Sequence, residues 1–437
     1  MNKSLPGRWM SALCVVLLLA TSQTAFGQED CDGYRYRYTG AFDGFDVDYG
    51  LVYGENTVNG DVVELDMDVY TPVGDGLSNR PLVIIAHGGF FLDGSNDNFD
   101  VVPLCEDLAS MGYAVASMNY RLLPIDLAIE AALGGTVTTA FVKAVWRGVH
   151  DSRAAVRFFR RSVAEFDNPY GIDVNRIYLG GISAGAFIAV HHAYVDDPSE
   201  IPLEIDVTED GMGGGLEGLS GNEGYSSDVN GVFNLAGALQ TTDFFLVGDN
   251  EPLFSVHGTD DTTVPYGEGI ISLDIAGLGV DIIDVDGSSI VHAAAEELGM
   301  DHCLITVDGG PHVPHLYSAS NYDLTLSALA GKLGEWACAD YVPVCGGYDY
   351  TAATGVTQHA QSEPKQGPVV YPNPASTSAS VLVFFPEGGD WQLMNAMGQT
   401  LVRGFATEGG ELTWSDLNSG WYVVKTEHGR TPFVVSH

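Results

Sequence analysis

Hydrophobic and polar residues follow the periods of strands and of helices in alternation along most of the chain. Residues 62–70 (VVELDMDVY) alternate as a half-buried strand does, and the unbroken apolar run at 81–86 (PLVIIA) is typical of a strand covered on both faces. Further strands are predicted at 114–120, 176–181, 231–236, 253–257 and 303–307, and helices at 101–111, 140–163 and 184–194. This alternation predicts a mainly parallel sheet with helices on both faces, and such sheets bind ligands beyond the carboxyl ends of their strands.

Two longer segments interrupt the alternation. Residues 122–139 follow a predicted strand, and we expect them to contribute to a cap over the sheet edge. Residues 196–228 are rich in Gly, Asp, Glu and Ser and have no clear period, so they are predicted to form a long loop. The sequence leaves open whether this loop overhangs a site or lies on the surface.

The composition changes after Cys345. Residues 346–368 are rich in Gly, Thr, Gln, Ser and Pro, which predicts a linker. Beyond the linker, short alternating stretches at 381–385, 391–394, 410–414 and 421–426 predict a small all-β sandwich over residues 369–437. The pattern therefore divides the chain into a first domain over residues 28–345, a linker and a second domain.

The first residues of the chain have the pattern of an export signal. Basic residues precede an apolar run at 10–20 that is too short to span a bilayer, and Ala25-Phe26-Gly27 forms a small-x-small cleavage site. We expect a signal peptide at residues 1–27 and a protein that is secreted or displayed at the cell surface.

Charge and cysteine content limit the binding partners and the cellular compartment that fit this chain. The chain has 437 residues, and its 18 basic and 58 acidic residues give a formal net charge of −40, which repels nucleic acid and anionic membranes. An exported protein is expected to form disulfides. The cysteines outside the signal peptide are Cys31, Cys105, Cys303, Cys338 and Cys345. This number is odd, so at least one thiol stays unpaired within the chain, and Cys338 and Cys345 are close enough in sequence to close a small loop. The spacings match no zinc site.

Four short stretches carry candidate chemistry, and each follows a predicted strand. The first is Gly181-Ile182-Ser183-Ala184-Gly185, a G-x-S-x-G pattern between a strand and a helix. Such a pattern places a serine on a tight strand-to-helix turn, where small neighbours let the helix approach the strand. Ser183 is therefore the candidate nucleophile.

The other three stretches supply the partners that a nucleophilic serine needs. HGGF at 87–90 is a turn whose backbone N–H groups are suited to bind an oxyanion, together with the N–H of Ala184. HGTDDTTVP at 257–265 offers a carboxylate from Asp260 or Asp261. GGPHVPH at 309–315 offers His312 as the general base, with His315 as the alternative.

The order serine, aspartate, histidine along the chain is that of α/β-hydrolases. Residues 50–340 resemble the α/β-hydrolase esterases of the hormone-sensitive-lipase and type-B-carboxylesterase kind, through these stretches and through NYRL at 119–122, DSRAAVRF at 151–158 and YGIDVNRIYLGG at 170–181. The resemblance implies an α/β-hydrolase fold, Asp261 as the triad acid, and oxyanion donors at Gly88 and Gly89. Many hormone-sensitive-lipase relatives have a third glycine where this chain has Phe90.

The resemblance also implies an activity. We expect a serine carboxylesterase in which Ser183, His312 and Asp261 form a triad that acts on an ester substrate outside the cell and needs no metal or organic cofactor. The alternative hypotheses are a peptidase or an acyltransferase on the same fold, and a non-catalytic surface binding protein.

The second domain resembles a different family. YPNPA at 371–375, NAMGQ at 395–399 and LNSGWYVVK at 417–425 are similar to the C-terminal sorting domains of the type IX (Por) secretion system of Bacteroidetes-like bacteria. The resemblance implies the type IX secretion machinery as a partner and passage across the outer membrane. A small carbohydrate-binding sandwich is the alternative.

Overall fold

The chain up to residue 338 is built around an eight-stranded sheet. The structure, a computed structural model, describes residues 30–246, 249–275, 278–338, 341 and 345, and beyond them the strands between residues 369 and 436. In chain order, the strands before residue 338 are β1 (Phe45–Val58), β2 (Asp61–Pro72), β3 (Arg80–Ala86), β4 (Ala114–Met118), β5 (Ile172–Ile182), β6 (Val232–Leu235), β7 (Ala238–Leu239), β8 (Leu253–Gly258), β9 (Glu268–Ile275), β10 (Leu278–Gly287) and β11 (His302–Val307).

The central sheet is mainly parallel, as the sequence predicts. Its strand order is β1-β2-β4-β3-β5-β6-β8-β11. The β1–β2 and β2–β4 pairs are antiparallel, and every later pair in this order is parallel. This order, with helices on both faces, is that of the α/β-hydrolase fold.

Helices cover both faces of the sheet because its central strands are apolar on both sides. The helices are α1 (Val102–Ser110), α2 (Ile125–Gly134), α3 (Val137–Glu165), α4 (Ala184–Tyr194), α5 (Ser288–Leu298) and α6 (Ala319–Ala337). In β3, Leu82 and Ile84 pack in the cluster that contains residues of α3, α4 and α5. Val83 and Ile85 pack in the opposite cluster, with residues of α1 and α6. Successive side chains of this one buried strand therefore pack in two core layers, one on each face of the sheet.

A β-hairpin is the main element that the sequence pattern did not predict. Strands β9 and β10 pair antiparallel between the loop after β8 and the start of α5, and they form a separate three-stranded sheet with β7. The register of β10 against β9 shifts between Asp281 and Ile283, which marks a β-bulge. Strand β1 and helices α5 and α6 are also absent from the sequence prediction.

The two predicted insertions have different outcomes. Residues 122–139 form α2 and the start of α3, and α2 contacts the hairpin strand β9. Most of the segment 196–228 is loop, as predicted, and a short 3₁₀ helix lies at Pro198–Glu200. This loop is held along α3, where His150 Nε2 bonds to Gly215 O at 2.8 Å and Arg157 Nη1 donates to the Glu217 carboxylate at 2.8 Å.

The structure gives the cysteine pairing that the sequence left open. It joins Cys31 to Cys338 and Cys303 to Cys345, so the small loop that Cys338 and Cys345 could have closed is not formed. The physical reason is that the chain before β1 returns to the end of α6, which brings two residues 307 apart in sequence together. Cys105 lies buried in the core as a free thiol, in agreement with the odd count.

Two sheets follow in the C-terminal region. Their strands are β12 (Val369–Tyr371), β13 (Ala375–Ser376), β14 (Val381–Phe385), β15 (Gly389–Asn395), β16 (Thr400–Ala406), β17 (Gly410–Trp414), β18 (Gly420–Thr426) and β19 (Gly429–Ser436). Strands β12, β14 and β17 form one sheet, and the other five form the second. Val383 of the first sheet shares a core cluster with Trp391 and Leu393 of the second, so the predicted sandwich is confirmed.

Two predicted segments lie outside the described residues: the signal peptide at 1–27 and the linker at 346–368. Within the part of the chain that the structure describes, no helix combines the length and the apolarity needed to cross a bilayer.

Candidate active site

Ser183 lies on the sharp turn between β5 and α4. Its backbone adopts φ 53° and ψ −114°, a conformation that few residues other than glycine adopt. The flanking glycines permit the turn because a Cβ on Gly181 would lie 2.3 Å from the Gly185 carbonyl carbon, and a Cβ on Gly185 would lie 2.0 Å from Ala86 O. The G-x-S-x-G spacing is therefore required by the close approach of strand and helix.

The structure brings the three predicted triad residues together. His312 Nε2 lies 2.9 Å from Ser183 Oγ, and His312 Nδ1 lies 2.7 Å from Asp261 Oδ2. Because a carboxylate only accepts hydrogen bonds, Nδ1 carries the proton in this arrangement, and Nε2 is free to accept the serine proton. Ser183 and Asp261 are buried, whereas the His312 side chain remains partly exposed.

Asp261 is held in its ionised form by several donors. Its Oδ1 accepts the backbone N–H groups of Thr263 and Val264 at 2.8 and 2.9 Å, and its Oδ2 accepts His312 and His257. Burial opposes ionisation, but the hydrogen bonds from the two histidines outweigh it and hold the pKa of the Asp261 carboxyl well below its usual range. Asp261 therefore stays charged and can stabilise an imidazolium at His312.

The rival candidates do not join this cluster. Asp260 is exposed, although it is the neighbour of Asp261 in the same turn. His315 is buried, and its ring nitrogens form no hydrogen bond with any described residue. The structure thus favours Asp261 and His312 over Asp260 and His315.

The turn at 87–90 differs in one respect from the expectation. The Gly88 N–H already donates to Asp100 Oδ2 at 2.7 Å, so Gly88 is not a free oxyanion donor. The N–H groups of Gly89 and Ala184 donate to no described residue. Ala184 follows Ser183 directly, and Gly89 follows Gly88, where an added Cβ would lie 3.5 Å from Ser183 Cβ. Phe90 adopts φ 58°, so it takes the left-handed conformation that a third glycine would adopt readily.

Two residues near the site were not singled out from the sequence. The first is Asp100, which anchors the turn from 12 residues further along the chain. The second is His257, whose Nε2–H donates to Asp261 Oδ2 at 3.1 Å while its Nδ1 bonds to Ser288 Oγ at 2.8 Å. His257 opens the HGTDD stretch, and its place at the end of a buried strand was the available signal.

An apolar pocket opens beside Ser183. It is bounded by the turn after β3, by α3 and α4, and by the β9–β10 hairpin. Phe90 and Phe91 both line it. No group of three or more His, Cys, Asp or Glu side chains suited to a metal ion occurs among the described residues.

Comparison with known proteins places these features in context. The model of the BD-FAE family matches residues 67–240, a stretch that holds Ser183 and the 87–90 turn but ends before Asp261 and His312. No curated protein matches the chain.

The solved structures that match the chain include esterases. Thermogutta terrifontis esterase 2 phosphorylated by paraoxon is 20% identical and aligns over 67% of this chain and 94% of its own, with a TM-score of 0.44. The propionate-bound thermophilic esterase from the same Planctomycetes species is 20% identical over 70% of this chain and 97% of its own, with a TM-score of 0.45.

Proposed function

We propose that this chain is a serine carboxylic-ester hydrolase with Ser183 as its nucleophile. The observation that supports the proposal is the continuous line of hydrogen bonds from Ser183 through His312 to Asp261, at 2.9 and 2.7 Å. Acyl transfer needs a serine on a sharp strand-to-helix turn, an imidazole nitrogen that accepts the serine proton, and an ionised acid behind the imidazole.

The reaction follows from these positions. Ser183 Oγ bonds to the ester carbonyl carbon as His312 Nε2 takes its proton, and the N–H groups of Gly89 and Ala184 stabilise the oxyanion. When this intermediate collapses, the bond to the alcohol oxygen breaks and His312 returns the proton to the leaving alcohol. Water then attacks the acyl-enzyme by the same route, which releases the acid and restores Ser183.

The serine assignment is tested by substitution. We expect Ser183→Ala to lower kcat for p-nitrophenyl butyrate by about 10⁶-fold, as the loss of a triad nucleophile does elsewhere. A fluorophosphonate probe should label the wild-type chain at Ser183 and leave the variant unlabelled. Ser199→Ala, at an exposed serine of the short 3₁₀ helix Pro198–Glu200, is the matched control and should keep the wild-type rate.

Two results would count against the proposal. If Ser183→Ala kept most of the rate, another group would be the nucleophile. If a folded wild-type chain left all p-nitrophenyl esters intact but cleaved p-nitroanilides, the peptidase hypothesis would replace the esterase one.

We also propose that the protein is exported, and that the C-terminal sandwich acts with type IX secretion machinery. Support comes from the signal-like residues 1–27, the sorting-domain motifs and the two disulfides, which are typical of oxidising compartments. Non-reducing peptide mapping of the protein, purified from the cells that produce it, tests the export proposal. We expect the Cys31–Cys338 and Cys303–Cys345 disulfides. Reduced cysteines at 31, 338, 303 and 345 in the native protein would contradict export.

A further inference from the structure

The apolar pocket beside Ser183 has walls from four elements. Phe90 comes from the turn after β3, Phe141 and Trp146 come from α3, and Phe187 comes from α4. The fourth wall is the hairpin, which contributes isoleucine and valine side chains. The pocket therefore depends on an element that lies outside the eight-stranded sheet.

The hairpin turns one face to the pocket and the other to solvent. Ile271 of β9 pairs with Ile283 of β10, and both line the pocket. The β-bulge lets Ile282 line it as well, although Ile282 and Ile283 are adjacent in sequence. Ile270 lies on the outer face and is 50% exposed. Thr138 Oγ1 donates to Ile282 O at 2.6 Å and ties the hairpin to the start of α3.

The lining residues offer a bound group no charge. They include no Lys, Arg, Asp or Glu. His191 is the titratable side chain among them, and both of its ring nitrogens are occupied: Nδ1–H donates to Phe187 O, and Nε2 accepts the Gln240 N–H. Burial lowers the pKa of His191 to about 4, so its ring is neutral at neutral pH. A carboxylate or ammonium group placed here would lose its hydration without a counter-ion.

The position of the pocket relative to His312 decides which half of an ester it receives. The leaving alcohol must lie beside His312 Nε2, which returns its proton. His312 is not among the lining residues, whereas Ser183 and the oxyanion donor Ala184 are. The group that stays attached to Ser183, the acyl group, is therefore the one that faces the pocket.

We propose that this pocket binds the acyl group, that it takes uncharged apolar acyl groups, and that the β9–β10 hairpin limits their length. The proposal rests on the proposed esterase function. Each methylene that enters the pocket is expected to raise kcat/KM by on the order of fourfold until the hairpin is reached.

The test is a set of p-nitrophenyl esters that share one alcohol: acetate, butyrate, hexanoate, octanoate and the charged hemisuccinate. For the wild-type chain, kcat/KM should rise from acetate to the longer esters, and it should be at least about a hundredfold lower for hemisuccinate than for butyrate. Ile283→Trp narrows the pocket and should lower the hexanoate-to-acetate ratio of kcat/KM by roughly tenfold or more.

Ile270→Trp is the matched control, because it adds the same ring to the outer face of the same hairpin. Its hexanoate-to-acetate ratio should equal that of the wild type. Methyl, butyl and hexyl acetates vary the alcohol instead, and their relative rates should not respond to Ile283→Trp.

The outcomes separate the two proposals. If acetate hydrolysis depends on Ser183 but Ile283→Trp leaves the hexanoate-to-acetate ratio unchanged, only the pocket assignment is overturned. The same holds if hemisuccinate is cleaved as fast as butyrate. If Ile283→Trp changes only the relative rates of methyl, butyl and hexyl acetate, the pocket binds the alcohol instead, and the assignment to the acyl group is overturned. If the folded wild-type chain hydrolyses none of these esters, both proposals are overturned.

Discussion

Asp100 lies buried behind the turn that faces Ser183. Its carboxylate accepts the Gly88 N–H, and a Cβ on Gly88 would lie 3.5 Å from Ser183 Cβ. Burial raises the pKa of the Asp100 carboxyl to about 6, so this group is difficult to ionise where it stands. Because Gly88 precedes Gly89, the proposed oxyanion donor, the Asp100 bond would hold that donor in position without touching the substrate.

Removal of this anchor should therefore affect catalysis more than binding. We expect Asp100→Ala to lower kcat by up to about 10²-fold with little change in KM, since a displaced oxyanion donor costs at most what a deleted one costs. Asp100→Asn keeps an acceptor oxygen for Gly88 and should retain most of the rate. Steady-state kinetics with p-nitrophenyl butyrate checks both variants, and equal rates for Asp100→Ala and wild type would rule out the positioning role.

Asp100 should also make the stability of the protein depend on pH. Folding raises the pKa of its carboxyl from 3.8 to about 6, so the contribution of Asp100 to stability is present below pH 4 and is lost as the pH rises through 6. Asparagine does not titrate. Above pH 6 the Asp100→Asn variant should therefore be more stable toward denaturant than the wild type.

At the residue scale, short motifs indicated the candidate triad but not the groups that hold it. Ser183 and His312 stand in patterns that a catalytic triad would require, and the structure brings them within 2.9 Å. Asp100 acts through a hydrogen bond to a backbone atom 12 residues away, which no local pattern encodes. The expectation for Gly88 failed for this reason, because a partner for its N–H was invisible in the sequence.

At the scale of elements, one ion pair connects parts of the chain that lie far apart in sequence. Arg121 follows β4, and its Nη2 lies 2.8 Å from Oδ1 of Asp151 in α3, with both side chains fully buried. Arg121 Nη1 also donates to Gly211 O at 2.8 Å and to Thr57 O at 3.1 Å. A single guanidinium thus joins β4, α3, β1 and the long loop at 196–228.

Breaking this pair should leave a buried charge without a partner. We expect Arg121→Met to lower the free energy of unfolding by about 3–5 kcal/mol, because the buried carboxyl group of Asp151 would lose its cationic partner. The double variant Arg121→Met/Asp151→Leu removes both charges and should be more stable than the single one. Guanidinium chloride denaturation of all three proteins gives the comparison. A single variant within about 1 kcal/mol of wild type would show that the pair contributes little.

The sequence predicted the elements whose patterns are regular and missed those whose patterns are broken. Helix α4 was predicted at its observed bounds, Ala184–Tyr194, since a mainly apolar run follows Ser183. The hairpin was missed because its bulge places Ile282 and Ile283 on the same side, which disrupts the alternation of a strand. NYRL and DSRAAVRF are separate motifs in the sequence, whereas the fold shows that Arg121 and Asp151 meet.

For the whole molecule, buried histidines set the response to acid. Burial lowers the pKa of six of them to about 4 or about 3: His87, His150, His191, His192, His292 and His315. In the unfolded chain each would titrate near its ordinary value of 6.5. Between pH 6.5 and about 4 the unfolded chain therefore takes up protons that the folded chain refuses.

Stability should consequently fall as the pH drops below about 6.5. Each of these histidines can contribute a slope of up to about 1.4 kcal/mol per pH unit, and the lowered pKa of Asp261 acts in the same direction at lower pH. Denaturant unfolding at pH 7.5, 6.5 and 5.5, at constant ionic strength, measures the slope. His150→Gln should reduce it. A free energy of unfolding that stays constant across this range would contradict the prediction.

The Cys31–Cys338 bond fixes both ends of the chain's first domain at one side of the sheet. Asp30 also pairs with Arg176, and Tyr36 N donates to Met111 O just before β4 begins, so this side is the amino-terminal edge of the parallel strands. Ser183 lies at the carboxyl edge, on the far side. Whatever is joined to either end is therefore attached on the side of the sheet opposite Ser183. If the proposed hydrolase is tethered to a surface through its tail, Ser183 would face outward, where bulky or insoluble esters can reach it.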